Sequence, residues 1–218
     1  MLTSSVIHLL DPSPLHLDPD AQRQALLGLI CHLAYREGDF TLSSGRRSSY
    51  YINCKPVTLH PQGAYLVGWA MLRCLPPQTE AVAGMTLGAD PIVSAVSLVS
   101  ILDYDPGVPH NLPALIVRKQ AKGHGTQAWL EGMTLPPETH TWILEDVVTT
   151  GGSALQAAER VREAGYCVDG ILSLVDRQEG ASESYAAAGI PFQAVFTLAD
   201  LRATYKQLTE KSKELSRG

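Results

Sequence analysis

Two hydrophobic rhythms alternate along the chain. Between Pro19 and Arg36 the apolar residues Leu26, Leu27, Ile30, Leu33 and Ala34 return at helical spacing, which predicts an amphipathic helix. Asp18 followed by Pro19 marks its start, a capping carboxylate ahead of a first-turn proline. The next stretch, FTLSSGRRSSYYIN at 40–53, places two short β-like pieces around a Ser/Gly turn and predicts a hairpin. A helix is expected over 61–75. Beyond it, strands are predicted at 81–84, 113–117, 140–144, 167–175 and 192–196. The intervening helices are expected within 87–102 with Pro91 in the first turn, from Gly152 to Ala164 closed by Gly165, and from Ser182 to Ala188. A polar helix is expected from Asp200 onward.

Short apolar runs alternating with helical segments mean βαβ units. The expected fold is α/β: a doubly wound, mostly parallel sheet flanked by helices, with a small N-terminal helix–hairpin hood formed by about 19–56. Residues 1–18 carry two prolines and no sustained periodicity and are expected to form an arm, with 19–218 as a single domain. Such sheets bind ligands outside the carboxyl ends of their strands. Glu145 and Asp146 follow the strand at 140–144 and belong to that end.

Composition adds exclusions. A formal net charge of −5 and no long basic run argue against a nucleic-acid partner bound by electrostatics. The four cysteines, Cys31, Cys54, Cys74 and Cys167, are scattered without metal-ligand spacing, as expected of core residues in a reducing compartment. The N-terminal MLTSSVIHLLDPSP lacks the basic residues and long apolar core of a signal peptide, and the apolar stretch from Pro91 to Leu102 is too short for a bilayer. A cytoplasmic protein without membrane contact is expected.

The densest chemistry lies in ILEDVVTTGGS, residues 143–153. A Thr/Gly/Ser loop that opens a helix holds an anion through backbone N–H groups and hydroxyls. No lysine sits in it and the spacing is not GxxxxGK[ST], so a triphosphate P-loop is excluded. An isolated acidic pair would most simply cap the helix. Here the pair precedes a phosphate loop, which suits a sugar phosphate: the loop takes the phosphate and the carboxylates take a vicinal diol. If a bond breaks at the anomeric carbon, fixed negative charge also favours the cation-like transition state.

This string resembles the phosphoribosyl-diphosphate (PRPP) binding signature of the type I phosphoribosyltransferases. The resemblance implies PRPP contacts from Glu145, Asp146, Val147, Val148, Thr149, Thr150, Gly151, Gly152 and Ser153. Three further stretches resemble the orotate phosphoribosyltransferase family. VRKQAKGHG at 117–125, with R-K-x-x-K-x-H-G spacing, is similar to its mobile basic loop. The resemblance implies that Arg118, Lys119, Lys122 and His124 contact the diphosphate, and that the 118–125 loop reaches the neighbouring active site of a homodimer. Lys122 and Asp146 are the implied catalytic contributors. SLVDRQEG at 173–180 places Arg177 where the family meets the orotate carboxylate, a task suited to guanidinium, with Thr149 as a second contact. Alone, Arg177 reads equally well as a salt bridge to Asp176 or Glu179. FTLSSGRRSSYYIN is similar to the family's substrate hood, with Tyr51 and Ile52 against the base.

The chain departs from many family members at Ser43 and from some at Gly88, where those members carry lysines. Backbone N–H groups around Gly88 and the Asp90–Pro91 helix start are the expected substitutes. The resemblance implies Mg²⁺ carried by PRPP, with no dedicated protein metal site. A purine-directed relative and a non-catalytic regulator remain alternative readings; Arg177 argues against the first, the basic loop and acidic net charge against the second.

Overall fold

The computed structural model describes residues 17–41, 45, 47–102, 105–120 and 129–215. Most of the expected arm, Ser43, Lys122 and His124 lie outside the described residues. The chain divides into two compact units, one running to Leu66 and resuming at Leu198, the other Val67–Thr197.

In the first unit, helix α1 (Pro19–Leu33) starts where the sequence predicts, with the Asp18 carboxylate accepting from the Ala21 N–H at 2.9 Å. It ends earlier than expected. The chain turns at Ala34 and enters β1 (Tyr35–Thr41), which pairs antiparallel with β2 (Arg47–Ile52). The hairpin's aromatics divide by strand alternation: Tyr50 is buried, whereas Tyr51 is 44% exposed and meets Phe40 at 5.7 Å. A short helix, α2 (Lys55–Thr58), follows and has no periodic signature in sequence. The C-terminal helix α7 (Leu198–Leu215) returns onto α1: Tyr205 meets Tyr35 edge-on at 5.2 Å and the Cys31 thiol donates to the Leu201 carbonyl.

Helix α3 (Pro61–Leu72) leads into the second unit and stops short of the predicted 75. The N–H groups of Cys74 and Leu75 donate to the carbonyls of Met71 and Leu72, so the helix tightens into a final narrow turn before Pro76. Six strands follow: β3 (Ala81–Met85), β4 (Ala114–Val117), β5 (Leu130–Glu131), β6 (His140–Val148), β7 (Cys167–Asp176) and β8 (Phe192–Thr197). Their order is β5-β4-β3-β6-β7-β8, parallel except for β5. Helices α4 (Asp90–Val99), α5 (Gly152–Glu163) and α6 (Ala181–Ala187) complete the expected doubly wound arrangement.

Apolar residues at helical spacing in α5, Leu155, Ala158, Val161 and Ala164, predict a core face from which the buried one is rotated. Ala154, Ala157, Ala158 and Val161 pack into the core, while Leu155 and Ala164 are only half-buried. Three of these four core residues are alanines, so α5 presents a mostly small-residue face to the sheet.

Candidate active site

Strand order reverses between β3 and β6: the chain proceeds outward to β4 on one side and to β7 and β8 on the other. A ligand crevice opens at such a switch point. Register sharpens the location. β3 accompanies β6 only from Thr141 to Leu144, opposite Ala81 to Gly84, whereas β7 continues beside it to Val148, opposite Asp176. The sequence reading ended this strand at 144. The longer β7 carries it four residues further, so Glu145 and Asp146 lie inside the strand where one neighbour has departed.

Strand geometry then separates the two acids, because successive side chains point to opposite faces. Glu145 is buried and lines a cavity of about 220 Å³ with Val147, Val148, Thr149, Thr150, Gly151, Gly152, Ser153, Ala154 and Tyr185. Asp146 is half-buried on the other face, its Oδ1 accepting from the Val147 N–H at 2.9 Å. It lies against the loop between β3 and α4: a Cβ built at Gly88 would stand 2.7 Å from Asp146 Oδ1. A lysine at 88 would have to displace that carboxylate, a physical reason for the departure seen in sequence.

The cavity is suited to an anion. A helix leaves its first N–H groups without intrahelical partners, and α5 has no side-chain cap: its N-cap is Gly151, in the left-handed region at φ 88°. Amides, three hydroxyl side chains and the positive end of the helix dipole therefore converge on one concave loop. Tyr185 forms part of the wall and was not predicted. Nothing in sequence connects it to Gly151, since α6 brings it there by tertiary packing.

The buried acid is also shifted in its ionisation. Burial, then the neighbouring Asp146, pushes the Glu145 carboxyl up to about 8, against a smaller opposing pull from Lys119. Its Oε1 has no hydrogen-bond partner among the described residues. A folded pKa above the unfolded value favours the protonated native state, so this contribution to stability is full below about 4.5 and is lost as pH rises through about 8. Glu145→Gln should therefore lose less of its ligand-free Tm between pH 5 and 8.5 than the wild type does. Parallel pH profiles of thermal unfolding check this; identical slopes would mean the buried carboxyl is not the titrating group.

Arg177 follows β7 and makes one of the salt bridges considered for it, the one to Glu179. Its Nη2 pairs with Glu179 Oε1 at 2.9 Å, and its Nη1 reaches Thr149 Oγ1 at 3.5 Å. Arg118 and Lys119 follow β4 and line a second cavity of about 410 Å³ with Thr86, Ile116, Gln120 and Glu131. Arg118 pairs with Glu131 Oε1 at 2.6 Å, and its N–H donates to the Trp129 carbonyl, closing the neck of the segment that carries Lys122 and His124. Opposite, Thr86 donates to Asp90 Oδ2 at 2.9 Å at the start of α4. Tyr51 and Ile52 lie on β2 of the first unit.

No family model matches the chain. It is 56% identical over 195 residues to orotate phosphoribosyltransferase of Nostoc sp., covering 89% of this chain and 92% of that protein. It is 57% identical over 185 residues to the Synechocystis sp. enzyme of the same name, covering 85% and 91%. Among solved structures, Mycobacterium tuberculosis H37Rv orotate phosphoribosyltransferase in complex with Fe(III) dicitrate matches with TM-score 0.70 and 38% identity, over 83% of this chain and 98% of that one. The same enzyme in complex with PRPP matches with TM-score 0.66 and 34% identity over the same shares.

Proposed function

We infer the chemistry of this site from the premise that the chain belongs to the orotate phosphoribosyltransferase family: it transfers the 5-phosphoribosyl group from PRPP to orotate, giving orotidine 5′-phosphate and diphosphate in pyrimidine biosynthesis. The bond from the anomeric carbon to diphosphate breaks, its electron pair leaving with diphosphate, and a bond to a ring nitrogen of orotate forms.

The observation that carries the residue assignment is the uncapped N-terminus of α5 facing an acid-lined crevice at the switch point. Thr149 to Ser153 hold the 5′-phosphate through amides and hydroxyls. Asp146 meets the ribose hydroxyls and supplies negative charge near the anomeric carbon, where positive charge grows in the transition state. Glu145, raised toward neutrality, also meets the ribose, and its protonated form can donate as well as accept. Arg118, Lys119, Lys122 and His124 neutralise the diphosphate, and Arg177 with Thr149 receives orotate.

Among the described residues no group of three or more His, Cys, Asp or Glu side chains could hold a metal ion. Asp146, a single accessible carboxylate beside the expected phosphates, fits Mg²⁺, which keeps several waters and takes one or two carboxylates with substrate phosphates. When bound with PRPP, the ion supplies charge neutralisation of the leaving diphosphate.

The protein acts as a homodimer whose 118–125 loop serves the neighbouring site, with no nucleic acid or membrane as partner. A cytoplasmic location is supported by four free cysteines, and no helix of the described residues is long and apolar enough to cross a membrane. Loss of orotate absorbance should require both PRPP and Mg²⁺, with adenine, guanine and uracil left untouched; turnover of a purine instead would displace the reading.

Arg177→Ala should raise KM for orotate by about ten- to a hundredfold, the loss of a charged hydrogen bond, with a smaller change in kcat. Steady-state kinetics with varied orotate decide it. Wild-type KM would leave Arg177 with its structural contacts to Glu179 and Thr149 and no role toward orotate.

A further inference from the structure

The phosphate cavity has one wall residue whose chemistry its packing does not explain. Tyr185 is 0% exposed, and its ring packs against Phe192 at 4.9 Å between centroids. The phenolic end lies beneath Gly151: a Cβ built there would meet Cε1, Cζ and the hydroxyl at 2.6, 2.8 and 3.0 Å. Glycine is thus required twice at 151, by its left-handed φ of 88° and by the tyrosine beneath it. The hydroxyl, however, has no hydrogen-bond partner among the described residues.

Burying a hydroxyl without a partner is unfavourable, and a phenylalanine ring would fill the same space without that cost. Burial, and after it the charges of Glu145 and Asp176, hold the phenol proton on more tightly than usual, so the group remains a donor. Tyr185 shares its cavity with the Thr149–Ser153 loop. The acceptor missing from the protein is the kind of atom this loop collects.

We propose that Tyr185 is a further phosphate-positioning residue, its buried hydroxyl donating to a phosphoryl oxygen held in the α5 loop. This rests on the assignment of the loop to the 5′-phosphate and adds to it a donor from α6, outside the contiguous signature. An anion then satisfies the phenol as well as the helix N-terminus, tying phosphate occupancy to the placement of Gly151. The neighbouring Glu145 carboxylate is the competing acceptor, and a test must separate the two.

Tyr185→Phe keeps the ring and removes only the hydroxyl. The ligand-free Tm should stay equal to wild type or rise. Binding of ribose 5-phosphate, measured by calorimetry on the full chain, should weaken about tenfold, with diphosphate binding unchanged, and KM for PRPP should rise in step. Unchanged ribose 5-phosphate affinity would overturn the proposal. So would a lowered ligand-free Tm, which would mean the hydroxyl already serves the protein. Weakened diphosphate binding with intact ribose 5-phosphate binding would overturn it as well. Wild-type assays in parallel isolate the underlying reading: if the wild type bound no ribose 5-phosphate, the loop assignment itself would fall.

Discussion

Asp146→Asn is expected to lower kcat by about a hundredfold or more while leaving thermal unfolding almost unchanged. The side chain is half-buried, and the contact its Oδ1 makes with the Val147 N–H survives in asparagine, whose carbonyl oxygen accepts equally well. What disappears is negative charge beside the Gly88 backbone, at the point where β3 has ended and the crevice opens. Charge that meets a developing cation acts chiefly in the transition state, so the loss should fall on kcat more than on KM for PRPP. Single-turnover rates with saturating PRPP and orotate, set beside Tm, give the answer. A kcat within threefold of wild type would remove Asp146 from the chemical step.

Lys122→Ala should likewise cost about a hundredfold or more in kcat, the scale of losing one preorganised group that stabilises developing charge. Its Tm should equal that of wild type. The assignment rests on the spacing within VRKQAKGHG and on family membership. Mixing makes it sharper. If the loop serves the neighbouring subunit, a heterodimer of Lys122→Ala and Asp146→Asn chains has one intact site, formed by the aspartate of the first and the lysine of the second. Activity of the mixture should then exceed that of either parent many-fold. No recovery after verified subunit exchange would place the lysine over its own subunit's site.

Much of the site was legible because its parts are contiguous. Glu145 through Ser153 form one string, and Arg118–Lys119 and Arg177 each follow an apolar strand. What escaped was tertiary. The strand holding the acids was read as ending at Leu144 because charged residues break an apolar run; pairing with β7 carries it to Val148. Only the paired strand shows that the two carboxylates face opposite sides and that Glu145 is the buried one. Leu155 outweighs Ala154 as an expected core residue because hydrophobic spacing favours the larger side chain, yet the helix buries Ala154 and leaves Leu155 half-buried. Strand β5 spans two residues, too few for any periodicity, so the pairing of Glu131 with Arg118 had no signature. Tyr185 lies on a helix whose sequence gives no reason to look toward Gly151.

Strand β5 bears on how the basic segment can be engineered. Through antiparallel pairs at Ile116–Glu131 and Val117–Leu130, it covers part of an otherwise open edge of β4. Uncovered edges of apolar strands invite pairing between molecules. A deletion trimmed to residues 121–128 would leave this guard in place, whereas one reaching Leu130 and Glu131 would bare the backbone of Ile116 and Val117. The shorter cut tests turnover; the longer one would confound it with aggregation, and its yield from expression would report on solubility instead of mechanism.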